Sequence, residues 1–333
     1  MRTFTILPND ANQRLDHFLR KAAPLLPDSL LYKSLRTKRV KCNGRRADGS
    51  LRLCEGDRVD CWLPDDLFAP PEYQYDFLRA GRELDVLYED GNILLANKPA
   101  GLLSHPDEGE YCDTLLGRVQ RYLYEKNEFA PAQENSFAPA LVNRIDRNTE
   151  GIVIAAKTAA ALRVLNEKMK RRELHKFYLC AVHGRPSQGE AQPGGWRLLR
   201  GWLRKEEEKS QVRVFAEPKP GAKEILTRYR VLAERGGLSL LEIELLTGRT
   251  HQVRAQFAAV GHALVGDGKY APRADFQASG RRRQCLASAR LVFAFDSPAG
   301  ELAYLQNLEV RLPRVAFAEE LFGLEMAEIL KNP

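Results

Sequence analysis

Apolar residues near the start of the chain predict two short helices. Leu15, Phe18 and Leu19 have helical spacing, and two prolines a few residues later end that segment. A second leucine-rich segment begins at Asp28 or Ser29, and either side chain could cap the N-terminus of a helix. The first part of the chain is therefore expected to contain a pair of helices.

A basic hairpin is predicted directly after these helices. The Asn-Gly pair at 43–44 is a strong turn signal because both positions tolerate a positive φ, and residues 55–62 predict a closing strand. Between positions 33 and 46 there are seven basic residues and no acidic one: Lys33, Arg36, Lys38, Arg39, Lys41, Arg45 and Arg46. This basic segment suits a phosphate backbone, and a solvated face without a ligand is the alternative.

Longer apolar patterns in the rest of the chain predict a second, larger unit. Residues 85–99 indicate two strands around a turn, and 151–157 has the composition of a buried strand that leads into a helix capped by Thr158. Residues 174–182 and 238–246 predict two further strands. Both helices and strands are therefore expected in this unit.

Length and charge agree with a division into two units. A chain of 333 residues corresponds to about two domains. The net charge is +7, and residues 12–62 account for most of it, because they hold twelve Lys or Arg and six Asp or Glu, a net +6. We predict a small basic module at 1–63, a linker at 64–84 and a large domain at 85–333.

Several classes of protein are disfavoured by composition. The longest apolar run has six residues, whereas a membrane-spanning helix needs about 20. The first residues lack the apolar core of a signal peptide, which favours a cytoplasmic protein. The six cysteines form no C-x-x-C pair and the six histidines no H-x-x-x-H pair, so neither a disulfide framework nor a metal site is expected.

One polar loop carries a candidate catalytic carboxylate. Asp146 lies between Arg144 and Arg147, immediately before the buried strand at 151–157. A neighbouring guanidinium favours the ionised form of a carboxylate, which can then act as a nucleophile or as an electrostatic stabiliser. A surface ion pair that closes the loop is the alternative reading of the same residues.

Three more residues further along the chain are candidates for a functional site. Lys176 and Tyr178 alternate with apolar residues on the predicted strand 174–182, so both side chains lie on the same face. Arg249 lies in the turn before a predicted helix, where backbone N–H groups favour anions.

Taken in order, these segments resemble two known families. Residues 14–59 resemble the small RNA-binding module first known from ribosomal small-subunit protein four, and residues 12–313 as a whole resemble the RluA-type pseudouridine synthases. The first resemblance rests on Arg14-Leu-Asp, Arg39-Val-Lys-Cys-Asn-Gly and Glu55-Gly-Asp-Arg-Val. The second rests on Lys98-Pro-x-Gly101, Arg144-Ile-Asp146-x-x-Thr149-x-Gly151, Lys176-x-Tyr178 and Gly248-Arg-Thr-His-Gln-Val-Arg254.

The second resemblance implies an activity and a set of roles. It implies a catalytic Asp146, an Arg144 that displaces the target base, a Tyr178 that stacks on the uracil, and an Arg249 that pairs with Asp146. Lys176 is expected in the same substrate-binding group. Asn143 and Glu150 depart from the family pattern, in which a histidine and a small residue are usual.

The implied fold is α+β, with a mixed, mainly antiparallel sheet and a central cleft in the large domain, and a small α/β module before it. The implied reaction is isomerisation of uridine to pseudouridine in structured RNA, without cofactor or metal, by a monomer that is not attached to a membrane. Large-subunit ribosomal RNA is the favoured substrate, and transfer RNA is the second.

Two other classes of function are open. A non-catalytic RNA-binding protein, such as a ribosome-assembly factor, would carry the same basic segment but would not need Asp146. A glycosidase-like hydrolase would need a second carboxylate across the cleft, and no motif in the sequence supplies one.

Overall fold

The computed structural model describes residues 1–68, 75–206 and 211–329. The first 68 residues form a small sheet with two helices on one face. Its four strands are antiparallel and lie in the order β1-β4-β2-β3. The elements of this N-terminal unit are β1 (Arg2–Thr5), α1 (Leu15–Ala22), α2 (Asp28–Arg36), β2 (Val40–Cys42), β3 (Arg45–Arg46) and β4 (Arg58–Cys61).

The hairpin prediction is confirmed and the predicted helix cap is wrong. Asn43 and Gly44 have φ values of 51° and 73° and join β2 to β3. The N-cap of α2 is Pro27, in an extended conformation, and Asp28 is the first helical residue. Proline fits there because its fixed φ is compatible with the cap, and the carboxylate of Asp28 is favourable in the first turn.

The rest of the described chain is built on a sheet of twelve strands. Its main path runs β10-β11-β13-β14-β9-β15-β8-β6-β5; β12 pairs with β11, β16 with β15 and β7 with β8. The strands are β5 (Asp85–Glu89), β6 (Ile93–Lys98), β7 (Ala140–Leu141), β8 (Glu150–Ala156), β9 (Leu174–His183), β10 (Glu190–Ala191), β11 (Arg197–Glu206), β12 (Gln211–Phe215), β13 (Lys223–Arg235), β14 (Leu238–Leu245), β15 (Leu286–Phe293) and β16 (Glu309–Arg311).

Helices cover parts of both faces of this sheet. They are α3 (Leu115–Glu125), α4 (Ala159–Arg171), α5 (Gln252–Ala259), α6 (Arg273–Ala278), α7 (Ala316–Phe322) and α8 (Met326–Ile329). One core contains α4 and α7, and the other contains α3 and α5. Only β15 and β8 pair in parallel among the described strands, so the predicted α+β fold with a mixed, mainly antiparallel sheet is confirmed.

Apolar pattern and capping explain the element that follows the candidate loop. Residues 150–156 form β8, with Ile152 and Val153 buried on opposite faces because both faces of the sheet are covered. The Thr158 side chain then accepts a hydrogen bond from the Ala161 N–H and caps α4, as predicted. Gly151 at the start of the strand has a φ of 116°, and a Cβ there would collide with the Ser288 backbone.

Direct hydrogen bonds connect the N-terminal unit to the large sheet. Asn9 donates to Glu134 at 2.9 Å, and Asn135 and Ser136 both donate to the Asp10 carboxylate. Phe68 is buried in the core of the N-terminal unit and Phe77 in a core of the larger one. Part of the predicted linker, 69–74, lies outside the described residues, and the boundaries at 63 and 84 stay a prediction.

Candidate active site

The loop that carries Asp146 connects β7 to β8 and is anchored through its own backbone. Ile145 is buried beside Ser104, whose hydroxyl donates to the Ile145 carbonyl at 2.9 Å and accepts from its N–H at 3.3 Å. The Thr149 N–H donates to the Asp146 carbonyl at 3.0 Å, which closes a turn. The position of the carboxylate is therefore set by the buried residue next to it.

Lys98 holds the same loop from the end of β6. Its ammonium is fully buried and donates to the carbonyl oxygens of Pro99, Leu102 and Arg147 at 2.9, 2.7 and 2.9 Å. The Gly101 N–H also donates to the Arg147 carbonyl, at 2.7 Å. Burial lowers the pKa of Lys98 to about 7. The Lys-Pro-x-Gly segment thus clamps the loop that carries Asp146, and the Lys98 ammonium is used in this clamp.

Asp146 shares a guanidinium with a second, deeply buried carboxylate. Arg254 Nη1 lies 3.1 Å from Asp146 Oδ2, and the other side of the same guanidinium makes two parallel hydrogen bonds to Asp267, at 2.7 and 2.9 Å. Burial alone would lower the pKa of Arg254, but the hydrogen bonds and charges of Asp267 and then Asp146 raise it. The Asp146 side chain keeps 25% of its surface exposed, whereas Asp267 is completely enclosed.

The structure corrects the expected partner of Asp146. Arg249 is exposed and lies in the turn before α5, and the residue that pairs with Asp146 is Arg254, inside the helix. The physical reason is that α5 begins only at Gln252, so its first turn brings Arg254 back towards the loop. The flanking arginines do not enclose Asp146 either, because Arg147 Nε donates to the Gly101 carbonyl and Arg144 is exposed.

His251 is a site residue that the sequence argument did not single out. It adopts a left-handed conformation with φ of 55°, and its Nε2 lies 3.8 Å from Asp146 Oδ2. Its Nδ1 is 2.7 Å from the Tyr270 hydroxyl. Burial lowers the pKa of His251, so the ring is neutral at physiological pH. The sequence signal that could have identified His251 is its place in the Thr-His-Gln-Val-Arg segment, two positions before the first apolar residue of α5.

All five predicted catalytic and substrate-binding residues line one cleft of about 600 Å³. The set is Arg144, Asp146, Lys176, Tyr178 and Arg249. A larger cavity, of about 710 Å³, lies between the N-terminal unit and the large sheet and contains none of them. We assign the candidate active site to the smaller cleft because Asp146 and its partner Arg254 both line it.

One wall of this cleft carries the Tyr178 ring, which is uncharged. Tyr178 is 6% exposed, and burial raises its pKa to about 12, so the phenol stays protonated. Lys176 lies above it, with its Nζ 3.0 Å from Met169 Sδ, and burial lowers its pKa. A planar, uncharged ring could rest on this wall while polar groups reach it from the rim.

The two departures from the expected motif have structural roles. The Asn143 side chain accepts a hydrogen bond from the Ile154 N–H at 2.8 Å and so ties the loop to β8. Glu150 is the first residue of β8, and burial raises the pKa of its carboxyl group. Neither side chain is bonded to Asp146.

The seven predicted RNA-binding cations lie together at the end of α2, in the turn after it and on β2 and β3. Six are exposed and Lys41 is half-buried. Within the described residues no carboxylate forms a salt bridge with any of the seven.

No group of three or more His, Cys, Asp or Glu side chains in 1–68, 75–206 and 211–329 could hold a metal ion. Among the helices of those ranges, none is long and apolar enough to cross a membrane.

Comparison with known proteins identifies the family. Residues 92–259 match the family model described as RNA pseudouridylate synthase. The ribosomal large subunit pseudouridine synthase C of Salmonella typhi is 31% identical over 323 residues, which cover 94% of this chain and 95% of that protein. The chain belongs to the RNA pseudouridine synthases. It is therefore an isomerase that acts on uridine in RNA.

A second sequence relative agrees with this family assignment, and a solved structure agrees with the fold of this pseudouridine synthase. The ribosomal large subunit pseudouridine synthase C of Vibrio cholerae serotype O1 is 30% identical over 318 residues, covering 93% of this chain and 92% of that one. Human RNA Pseudouridylate Synthase Domain Containing 1 has a TM-score of 0.54 at 20% identity, over 75% of this chain and 94% of that structure, and so shares the fold.

Proposed function

We propose that this pseudouridine synthase modifies specific uridines of large-subunit ribosomal RNA. Two relatives whose names specify the ribosomal large subunit align over more than nine-tenths of the chain, including its N-terminal unit. The free cations of that unit suit a large, folded polyanion.

The chemistry requires a group that acts on the ribose. The bond between the sugar C1′ and uracil N1 breaks, the base turns, and a new bond forms from C1′ to C5. N1 gains a proton and C5 loses one, so no atom is gained or lost overall. The observation that carries our assignment is the Asp146 carboxylate, which Arg254 holds in place while one face stays open to the cleft.

The other cleft residues are assigned to the substrate. Tyr178 stacks on the uracil once the nucleotide has been turned out of the RNA, and Arg144 takes the place of that nucleotide. Arg249 and Lys176 bind the RNA around it, because both cations line the same cleft as Asp146. Stacking on one aromatic ring is worth about 1–3 kcal/mol in single-strand binding.

The remaining proposals concern the organisation of the protein. Residues 1–63 form an RNA-binding module whose contacts come from the basic segment at 33–46, residues 64–84 link it to the rest, and residues 85–333 form the catalytic domain. The enzyme works as a monomer in the cytoplasm.

Mapping pseudouridine with and without the gene tests the substrate assignment. Ribosomal and transfer RNA from both strains are compared position by position, and the deletion is complemented with the wild-type chain or with Asp146→Asn. We expect sites in large-subunit ribosomal RNA to disappear and to return only with the wild-type chain. Loss of sites in transfer RNA alone would establish the second candidate substrate, and restoration by Asp146→Asn would remove Asp146 from the reaction.

A further inference from the structure

The sheet of the N-terminal unit has one packed face and one open face. On the packed face, Val40 and Val59 are completely buried against α1 and α2. Strand residues alternate between faces, so their neighbours Arg39, Lys41 and Asp60 belong to the other one. No described helix of this unit lies on that side.

Trp62 lies immediately after β4, at the end of this open face. Its N–H donates to the Arg39 carbonyl at 2.8 Å, which places it opposite Arg39 across the β2–β4 ladder. The side chain of Lys41, the next residue on the same face, lies over its indole ring at 5.2 Å from the centroid. The residue is 41% exposed, although a tryptophan has more apolar surface to bury than any other side chain.

Two further cations belong to the same face as Lys41. Arg46 lies opposite Lys41 in the β2–β3 pair, and Arg39 is opposite Trp62 through the backbone hydrogen bond. The carboxylate on this face, Asp60, is already engaged by Arg58 at 2.9 Å and by the Thr3 hydroxyl at 2.7 Å. The charges next to Trp62 are therefore available for phosphates.

We propose that the open face formed by Arg39, Lys41, Arg46 and Trp62 binds single-stranded RNA, with an unpaired base stacked on the Trp62 ring. The inference rests on the proposed RNA-binding function of residues 1–63 and adds the kind of RNA that this face takes. An exposed aromatic ring among cations matches the two needs of an unpaired nucleotide, a surface for the base and positive charge for the backbone. A duplex offers no free base to the indole, so this contact discriminates between the two forms of RNA.

The test uses the full-length chain and a short oligocytidylate, which contains no uridine for the catalytic cleft to take. Trp196 and Trp202 are replaced by phenylalanine, so that Trp62 is the only fluorophore of its kind in the chain. We expect the oligocytidylate to quench the emission of Trp62, and a blunt RNA duplex of equal length to leave it unchanged.

Affinity for the oligocytidylate is then measured against salt. Trp62→Ala is expected to weaken binding about 5- to 150-fold, equivalent to about 1–3 kcal/mol at 1.4 kcal/mol per tenfold change, with the same salt dependence. The affinity of Trp62→Phe, which keeps a smaller ring, should lie between those of wild type and Trp62→Ala. Lys41→Gln should instead reduce the slope of log affinity against log salt by about 0.7.

Tyr32→Ala is the matched control. Tyr32 is 50% exposed in the same unit, but it lies on α2 beside Arg20, away from the open face. Absence of quenching, unchanged affinity in Trp62→Ala, or equal losses in Trp62→Ala and Tyr32→Ala would each overturn the stacking proposal. The broader RNA-binding proposal fails separately, if charge variants of the basic segment leave the salt dependence of binding to a ribosomal RNA fragment unchanged.

Discussion

The catalytic cleft and the basic segment at 33–46 use charge in opposite ways. In the cleft, Asp146 is paired with Arg254, and Arg254 is held in turn by the enclosed Asp267. In the basic segment, seven cations lie near one another and form no described salt bridge. Ion pairs within the protein fix a reactive group in one geometry, whereas unpaired cations form ion pairs only when a polyanion binds.

This contrast predicts different consequences of mutation in the two regions. Changes to Asp146, Arg254 and Lys98, which are paired inside the protein, should alter the chemical step or the stability and leave the salt dependence of RNA binding unchanged. Changes in the basic segment should alter salt-dependent affinity and leave the chemical step unchanged.

The largest effect is expected from Asp146→Asn. The substitution keeps the shape and hydrogen-bonding capacity of the side chain but removes the charge to which we assign the action on the ribose. Single-turnover pseudouridine formation should fall by at least about a thousandfold, with RNA affinity retained. Asp275→Asn, on the surface helix α6, serves as the control. Turnover of Asp146→Asn within tenfold of wild type would remove Asp146 from the reaction.

Substitutions of the two arginines in the Gly-Arg-Thr-His-Gln-Val-Arg segment should affect different kinetic constants, one kcat and the other KM. Arg254→Lys keeps the charge but loses the planar fork that joins Asp146 to Asp267, and its kcat should fall by about a hundredfold. Arg249→Ala should raise KM by about tenfold and change kcat by less than about threefold, because its side chain is exposed at the rim. The reverse pattern would restore Arg249 as the partner of the catalytic carboxylate.

The main effect of Lys98→Met should be on the stability of the fold and not on the chemical step. This substitution would leave the carbonyl oxygens of Pro99, Leu102 and Arg147, of which that of Leu102 is buried, without their shared donor. We expect a loss of about 3 kcal/mol in the free energy of unfolding, measured by urea denaturation. Lys223→Met, at an exposed position of β13, should change it by less than about 0.5 kcal/mol. Equal stability of the two variants would show that the clamp on the loop is dispensable.

Neutralising part of the basic segment should weaken binding in a salt-dependent way. The triple change of Lys33, Arg36 and Lys38 to glutamine should lower the slope of log affinity against log salt by about 0.7–0.9 for each phosphate contact that is lost. The single-turnover rate at saturating RNA should stay the same. The matched control is the triple change of the exposed Lys219, Lys223 and Arg273 to glutamine. An identical salt slope for the first triple variant and wild type would identify the segment as a solvated surface.

The smallest effect is expected at acid pH, through His251. Burial, Arg254 and Lys269 disfavour its protonated form and outweigh Asp146 and Asp267, so its pKa lies below the ordinary 6.5. As pH falls through that lowered value, the ring gains a charge that competes with Arg254 for Asp146. The single-turnover rate of wild type should therefore drop a few-fold once the pH falls below this lowered pKa. His251→Gln should flatten that decline, whereas His17→Gln, at an exposed position of α1, should reproduce the wild-type profile.

The sequence determined the elements on which the site is built. The continuous apolar run at 152–156 specifies a strand buried on both faces, Thr158 specifies the start of α4, and Asn43-Gly44 specifies the hairpin. These features depend on local backbone preferences and on apolar periodicity, both of which are determined by residues close together in the sequence. The family motifs also placed Asp146 and Tyr178, and these residues do line one cleft.

Only the tertiary structure decided which charged groups meet. Asp146 and Arg254 are 108 positions apart, and their contact depends on where α5 begins and how the loop before β8 is anchored. Arg249 was an equally good candidate from the motif, because a sequence shows that two charges are present but not the directions in which their side chains extend. The same holds for Trp62, whose place beside Lys41 follows from the pairing of β2 with β4. Long-range electrostatic contacts are properties of packing, since the energy of a pair depends on its distance and burial rather than on its order in the chain.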